Sequence, residues 1–324
     1  MAITKIATAN HEEWKVLRSQ YIGGSDAAAV VGLNRFSSPY SLWAEKTGRV
    51  QQFEGNLATD VGTFLEDFIA KRFETISGKK VRRENRSFIN DKYPWAIANI
   101  DRAIVGEDSG LECKSTSALN IKRFKGGEFP ENYYCQSVHY LAVTERIRWY
   151  IAVLIGNQDF KIYQLTRIES DTCPEWCETS LYISDEEIDA LMTSEKDFWD
   201  NHVKTGIPPM ADGSKACTNA IKTMYGESIE GTVDLSAFDA DLRQRSALSS
   251  QIKNLETLRD EVDNKIKAYM GTASRGESST YKVTWTSSTR NNFDRKRFEK
   301  ENPGTDLSKY FKITTTRTFK VSEI

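Results

Sequence analysis

The sequence predicts an α/β fold with a mixed sheet. Three observations carry that reading. Strand-like apolar runs cluster between residues 87 and 166, amphipathic helical stripes precede and follow them, and one helical stretch interrupts them. Helices, hairpin strands, a helix and more strands, in that order, suit a sheet with both parallel and antiparallel neighbours.

Each element has its own signal. Residues 11–21 put Trp14, Leu17 and Tyr21 on one helical stripe. "GGSDAAAVVGLN" opens on a glycine turn, offers Ser25 and Asp26 as N-caps, and continues as a short Ala/Val helix. "SSPYSLWAEKTG" is a capped helix, with Pro39 near its start and Gly48 at its end. Residues 57–77 form a long amphipathic helix, its apolar face built from Leu57, Val61, Leu65, Phe68, Phe73 and Ile76, and Gly78 stops it. "SFIN", "WAIANIDRAIV" and "LECKST" read as strands. A helix covers 131–145, and "WYIAVLI" and "FKIYQLT" make a hairpin around "GNQD". Residues 184–203 are helical, and Gly206, Pro208 and Pro209 mark a boundary. The expected division is therefore a domain over 1–210 and a C-terminal extension over 211–324. In the extension, residues 236–270 carry Leu248, Ile252, Leu255, Val262 and Ile266 at helical spacing, a long amphipathic helix that needs a partner surface. "YKVTWTSST" and "FKITTTRTFKV" are expected to pair in a small β element.

Composition narrows the class. A chain of 324 residues, 39% hydrophobic and 11% aromatic, can bury a large core. No run of about 18 apolar residues occurs, which argues against a membrane span. The N-terminal stretch lacks a signal-peptide apolar region, so a soluble, cytoplasmic protein is expected. Five cysteines in no framework spacing read as reduced thiols. Cys173 and Cys177 lie four apart, but zinc would need a fourth ligand that the sequence does not supply. The formal net charge of -2 does not exclude a nucleic-acid partner, because basic residues can concentrate on one surface. Residues 71–86 hold seven of them, among them Arg82 and Arg83. Such a run fits a solvated helix end as well as a phosphate-tracking patch.

The chemistry centres on Asp101, Glu112 and Lys114. Glu112 and Lys114 are two apart in a strand and leave the same face. With Gly106–Ser109 as the hairpin loop, Asp101 falls opposite Lys114 and beside Glu112. Two carboxylates on one face repel unless a cation sits between them. Oxygen ligands suit Mg²⁺, with Mn²⁺ as the other fitting ion. A nearby lysine can orient a water or neutralise charge developing on phosphorus. The set fits metal-assisted phosphodiester hydrolysis, and a surface salt bridge fits the same bare spacing.

Six ordered blocks add context: "WKVLRSQYIGGSDA", "SPYSLWAEKTG", "VGTFLEDFIAKRFE", "NIDRAI", "LECKS" and "YYCQSVHYLAVT". Over roughly residues 11–205 the chain resembles the YqaJ-type viral recombinase family, relatives of phage lambda exonuclease within the PD-(D/E)xK nuclease superfamily. The resemblance implies a restriction-endonuclease-like core with a mixed central sheet flanked by helices. It implies that Asp101, Glu112 and the backbone carbonyl of Cys113 bind Mg²⁺. Lys114 would position or activate the attacking water, with Glu66 near the metals and Gln136 beside the lysine. Arg18 and Ser25 would hold the 5′-phosphate of a DNA end, and Asn99, standing where the lambda protein has serine, would still reach phosphate. The implied activity is 5′→3′ digestion of one strand of duplex DNA, leaving a 3′ overhang for a phage single-strand annealing protein. The implied assembly is a trimeric ring around DNA. An endonuclease or nickase on the same core, and a non-catalytic module that binds DNA ends, are the rival readings.

Overall fold

The computed structural model describes residues 2–51, 53–312 and 317–322. It divides into two units, residues 1–226 and 227–324. The first unit begins with β1 (Ile3–Ala7), α1 (His11–Ser19), β2 (Ile22–Gly23), α2 (Gly24–Val30), α3 (Pro39–Lys46) and α4 (Leu57–Ser77). It continues with β3 (Val81–Arg83), β4 (Arg86–Asn90), β5 (Ala96–Asn99), β6 (Arg102–Ile104), β7 (Ser109–Thr116) and α5 (Glu131–Thr144). Then come β8 (Arg148–Ile155), β9 (Asp159–Thr166), β10 (Thr179–Tyr182), α6 (Asp185–Phe198) and α7 (Lys215–Met224). The unit runs past Met210 because α7 packs on α3 and buries Cys217 and Ala220 in the main core.

A six-stranded mixed sheet, ordered β10-β9-β8-β7-β6-β3, forms the centre. β7 runs parallel to β8, and β8 antiparallel to β9. A second sheet, β1-β4-β5-β2, lies in the same unit. Strand alternation assigns the two faces of the central sheet. Trp149, Ile151 and Val153 of β8 join Val138, Leu141 and Ala142 of α5. Tyr150 and Ala152 join Ile69, Ala70 and Phe73 of α4, with Leu111 and Cys113 of β7. Glu112 lies opposite Ile151 and therefore faces α5.

Several expectations are corrected. "WAIANIDRAIV" is not one strand: it breaks at Ile100–Asp101 into β5 and β6, which belong to different sheets. The hairpin register sets Arg102 opposite Leu111 and Ala103 opposite Gly110. Continued by one residue, it puts Asp101 opposite Glu112 and not Lys114. The shift is by two, so the face of each side chain is preserved. On α4 the sheet covers only the C-terminal half. Leu57 is 78% exposed and Val61 and Phe68 are exposed, so the buried face is carried by Ile69, Ala70 and Phe73. Gly23 caps α2 and Asp26 returns to its amide, which places Ser25 inside the first turn. Helix α1 ends at Ser19, before Tyr21, and the 184–203 helix passes from α6 into a π turn at Trp199–Val203.

The second unit holds α8 (Asp239–Met270), then β11 (Arg275–Glu277), β12 (Lys282–Thr284) and α9 (Arg295–Glu301). Leu248, Ile252, Leu255, Val262 and Ile266 of α8 are exposed. "YKVTWTSST" pairs with β11 just before it, closed by Ser278 and Tyr281, and among the described residues it forms no ladder with "FKITTTRTFKV". Residues 313–316 of that last segment lie outside the described residues, and its other described residues form no strand.

Helix α5 is pinned from behind. His139 and Glu195 of α6 are fully buried and 2.8 Å apart, and His139 Nε2 donates to the Ile97 carbonyl at 3.0 Å. Removing one member of such a pair strands the other in an apolar layer. Glu195→Ala is therefore expected to cost about 3 kcal/mol or more in urea unfolding, and Glu195→Gln clearly less.

Candidate active site

Asp101 stands where the chain leaves one sheet for the other. The neighbouring strand has departed there, and the Asp101 carboxylate replaces it: Oδ2 accepts from the Cys113 amide at 2.8 Å. In a strand the N–H and C=O of one residue leave on the same side. The Cys113 carbonyl therefore leaves toward Asp101 as well.

Glu112, Lys114 and Gln136 form a closed triangle. Lys114 Nζ donates to Glu112 Oε1 at 2.7 Å and to Gln136 Oε1 at 2.9 Å. Gln136 Nε2 donates to Glu112 Oε1 at 2.7 Å. Lys114 also stands 5.3 Å from the Tyr133 ring centre, at cation–π range. Gln136 thus bonds side chains of the site, not the backbone of its own helix. Sequence reasoning missed Tyr140, whose hydroxyl accepts from Gln136 Nε2 at 3.0 Å and donates to the Asn99 carbonyl at 2.7 Å. Its signal was there, one helical turn after Gln136 on the same face.

Burial pushes the Glu112 carboxyl up to about 8, and the Asp101 charge adds to it against the pull of Lys114. Burial raises Asp101 as well. Lys114 is raised too: burial alone would lower it, but the charges of Glu112 and Asp101 outweigh that. Glu112 Oε2 is buried with no hydrogen-bond partner. Two crowded carboxyls, one with an orphaned buried oxygen, beside a strand carbonyl, fit a hard divalent cation. Among the described residues no three His, Cys, Asp or Glu side chains gather into a cage, so any ion here would take two carboxylates and a backbone carbonyl from the chain. Mg²⁺ accepts such sets because it keeps several waters.

Glu66 reaches the site electrostatically from α4. Its carboxyl is raised by burial and then by the Asp101 charge, and it lies 3.8 Å from Arg102. Arg102 also bonds Asp67 at 2.6 Å, and Arg83 shares that carboxylate at 2.8 Å. Arg83 is thereby tied to the rim. Arg82 points the other way across the strand, 3.7 Å from Glu84, which Arg86 also holds. Much of the basic run is thus ion-paired, Lys79 with Glu107 included.

Arg18 and Ser25, named as holders of a 5′-phosphate, lie together: the guanidinium donates to the Ser25 hydroxyl. They line a cleft of about 1020 Å³ together with Asp26, Lys46 and the exposed Phe53 and Phe64. Lys46, which sequence reasoning did not single out, bonds Asp26 at 2.8 Å and the Tyr21 carbonyl at 2.7 Å. Asn99 joins this cleft to the triangle. Its side-chain oxygen accepts from Trp14 Nε1 at 3.0 Å and from Ser87 at 2.5 Å, and Arg18 stacks over Trp14. Asn99 could thus reach a phosphate only through Nδ2.

Comparison with known proteins decides the family. A model of the YqaJ-like viral recombinase domain matches residues 13–147. A Bacillus subtilis (strain 168) protein described as uncharacterized protein YqaJ is 36% identical over 327 residues, covering 99% of this chain and 97% of its own. The chain belongs to the YqaJ-like viral recombinase family. Among solved structures, the alkaline exonuclease LHK-Exo of Laribacter hongkongensis is 17% identical, with a TM-score of 0.47 over 61% of this chain and 94% of its own. A phage related exonuclease from Haemophilus somnus 129PT is 12% identical, with a TM-score of 0.40 over 57% of this chain and 96% of its own. Among the described residues no helix is long and apolar enough to cross a membrane.

The Asp26 cluster in this YqaJ-family chain yields a pH prediction. Burial alone would raise the Asp26 carboxyl, but the charges of Lys46 and Arg18 and the Lys46 and Gly23 hydrogen bonds lower it from 3.8 to about 2. A depressed folded-state value stabilises above the unfolded value and is lost as pH falls through the folded one. Stability should therefore drop by about 2 kcal/mol between pH 4 and pH 2 on account of Asp26. Urea unfolding at stepped pH should show a shallower acid limb for Asp26→Asn than for the native protein.

Proposed function

We propose that this chain is a divalent-metal-dependent deoxyribonuclease that digests one strand of duplex DNA from its 5′ end and leaves a 3′ overhang. The observation that carries the proposal is the grouping of Asp101, Glu112, Lys114 and Gln136 where the two sheets part. Membership of a viral recombinase family supports the same reading.

Asp101, Glu112 and the Cys113 carbonyl would hold Mg²⁺, or Mn²⁺ by the same oxygen chemistry. The chemistry such an ion supplies when bound is acidification of a water and charge at the phosphate oxygens. Lys114 has three N–H donors and commits two of them. The third can fix a water in line with phosphorus or meet the charge that develops there. Gln136 holds Lys114 and Glu112 at hydrogen-bond distance from one another. Glu66 would add negative charge on the α4 side. Arg18 offers a planar fork, and Ser25 a hydroxyl, to a terminal phosphate. Arg83 lies within reach of the flanking backbone, and Arg82 would track phosphate farther out.

A ring of three copies around DNA, and hand-over of the overhang to a phage annealing protein, rest on the family membership.

The test is a time course with Mg²⁺ on linear duplex DNA carrying 5′-phosphate and strand-specific label, beside a covalently closed circle. Nucleotide release from 5′ ends alone is expected, with none from the circle and none from Lys114→Ala. Cutting of the circle would make the chain an endonuclease, and end binding without cleavage would make it a binding module. Arg18→Ala should raise KM roughly tenfold or more for 5′-phosphorylated ends and little for 5′-hydroxyl ends.

A further inference from the structure

An amide side chain has two ends of equal shape and opposite hydrogen-bonding character. Gln136 can work in the triangle only one way round, with Oε1 toward Lys114 and Nε2 toward Glu112. Reversal would aim N–H groups at the ammonium and an oxygen at the carboxylate. Lys114 and Glu112 favour the correct orientation, but on the nuclease reading both also face the substrate or the cation. A fixed reference must come from elsewhere.

Tyr140 has the properties of that reference. Its hydroxyl hydrogen goes to the Asn99 backbone carbonyl at 2.7 Å, and a carbonyl can only accept. The hydroxyl oxygen is then left as an acceptor, so the Gln136 atom 3.0 Å away must be the nitrogen. The ring cannot shift to relax this demand. Tyr140 is 4% exposed, and its ring lies 4.9 Å from the Trp149 ring centre. On another side it meets the helix α2 backbone at Gly24, where a Cβ would stand only 2.5 Å from Tyr140 Cε1. Glycine is thus the residue that lets the ring seat there.

We infer that Tyr140 is a positioning residue that fixes the orientation of the Gln136 amide and through it the Lys114–Glu112 pair. Its importance for turnover rests on the nuclease reading, whereas the hydrogen-bond role stands on the geometry alone. Tyr140→Phe keeps the ring and removes only the hydroxyl.

Two readouts test it. The first is hydrogen exchange of the Gln136 side-chain NH₂ in the metal-free protein, its NMR signal assigned by disappearance in Gln136→Glu. The second is DNA cleavage with Mg²⁺, with kcat and KM determined separately, and a melting curve confirms that the variant folds. In Tyr140→Phe the NH₂ protons should exchange about tenfold faster, and kcat should fall about tenfold with KM unchanged. Native-like exchange would overturn the inference. So would faster exchange with native kcat, since the orientation would then not matter to turnover. If the native protein cleaves no DNA, the nuclease reading fails, and the exchange comparison alone still decides whether Tyr140 fixes the amide.

Discussion

Two carboxyl groups are forced together where the chain steps from one sheet into another, and the rest of the first unit is arranged around that crowding. Asp101 can stand in for a missing strand partner of Cys113 only because β5 and β6 part at Ile100–Asp101. Glu112 faces it from the next strand with one buried oxygen unmatched. In a low-dielectric layer such a pair repels strongly unless positive charge is close. Lys114 supplies part of that charge from within the chain. A divalent cation would supply the remainder, so the strain of the pair and its proposed chemistry have one origin.

The surrounding polar groups form a connected network. Trp14, Asn99, Tyr140 and Gln136 join the Arg18–Ser25 cleft to Glu112 through hydrogen bonds of 2.7–3.0 Å. Behind it, the His139–Glu195 pair and the Ile97 carbonyl hold α5 against α6 and β5. Connected buried networks of this kind rigidify what they enclose, although one oxygen each of Glu112 and Glu195 is left without a partner. The helix that carries Gln136 is therefore held on its apolar side and its polar side.

Much of this was legible in the sequence, for physical reasons that also explain the misses. The period of two in "LECKST" assigned Glu112 and Lys114 to one face, and that survived a register error because the error was even. Arg18 and Ser25 were singled out from the block "WKVLRSQYIGGSDA" by resemblance and not from spacing; the direct bond between them was not foreseen. The break inside "WAIANIDRAIV" left no local mark: its apolar residues suit either sheet, and only the Asp101 carboxylate taking over an amide distinguishes the two strands. Tyr140 and Lys46 were hidden in another way. Each stands in a block that was read, but its importance lies in contacts 41 and 25 residues away along the chain. The stripe of α4 misled because amphipathicity shows that a face is apolar and does not show how far the sheet beneath it extends.

β7 interleaves two incompatible surfaces. Leu111 and Cys113 face the apolar layer under α4, while Glu112 and Lys114 between and after them face α5. Core and chemistry are thus written in alternate letters of one strand, which gives it a reading frame in space. Loss of a single residue ahead of Glu112 would turn both acid and lysine into the oily layer and expose the apolar side chains to the site, damaging fold and function at one stroke. A substitution in the strand changes one side chain on one face, whereas an insertion or deletion exchanges the two faces.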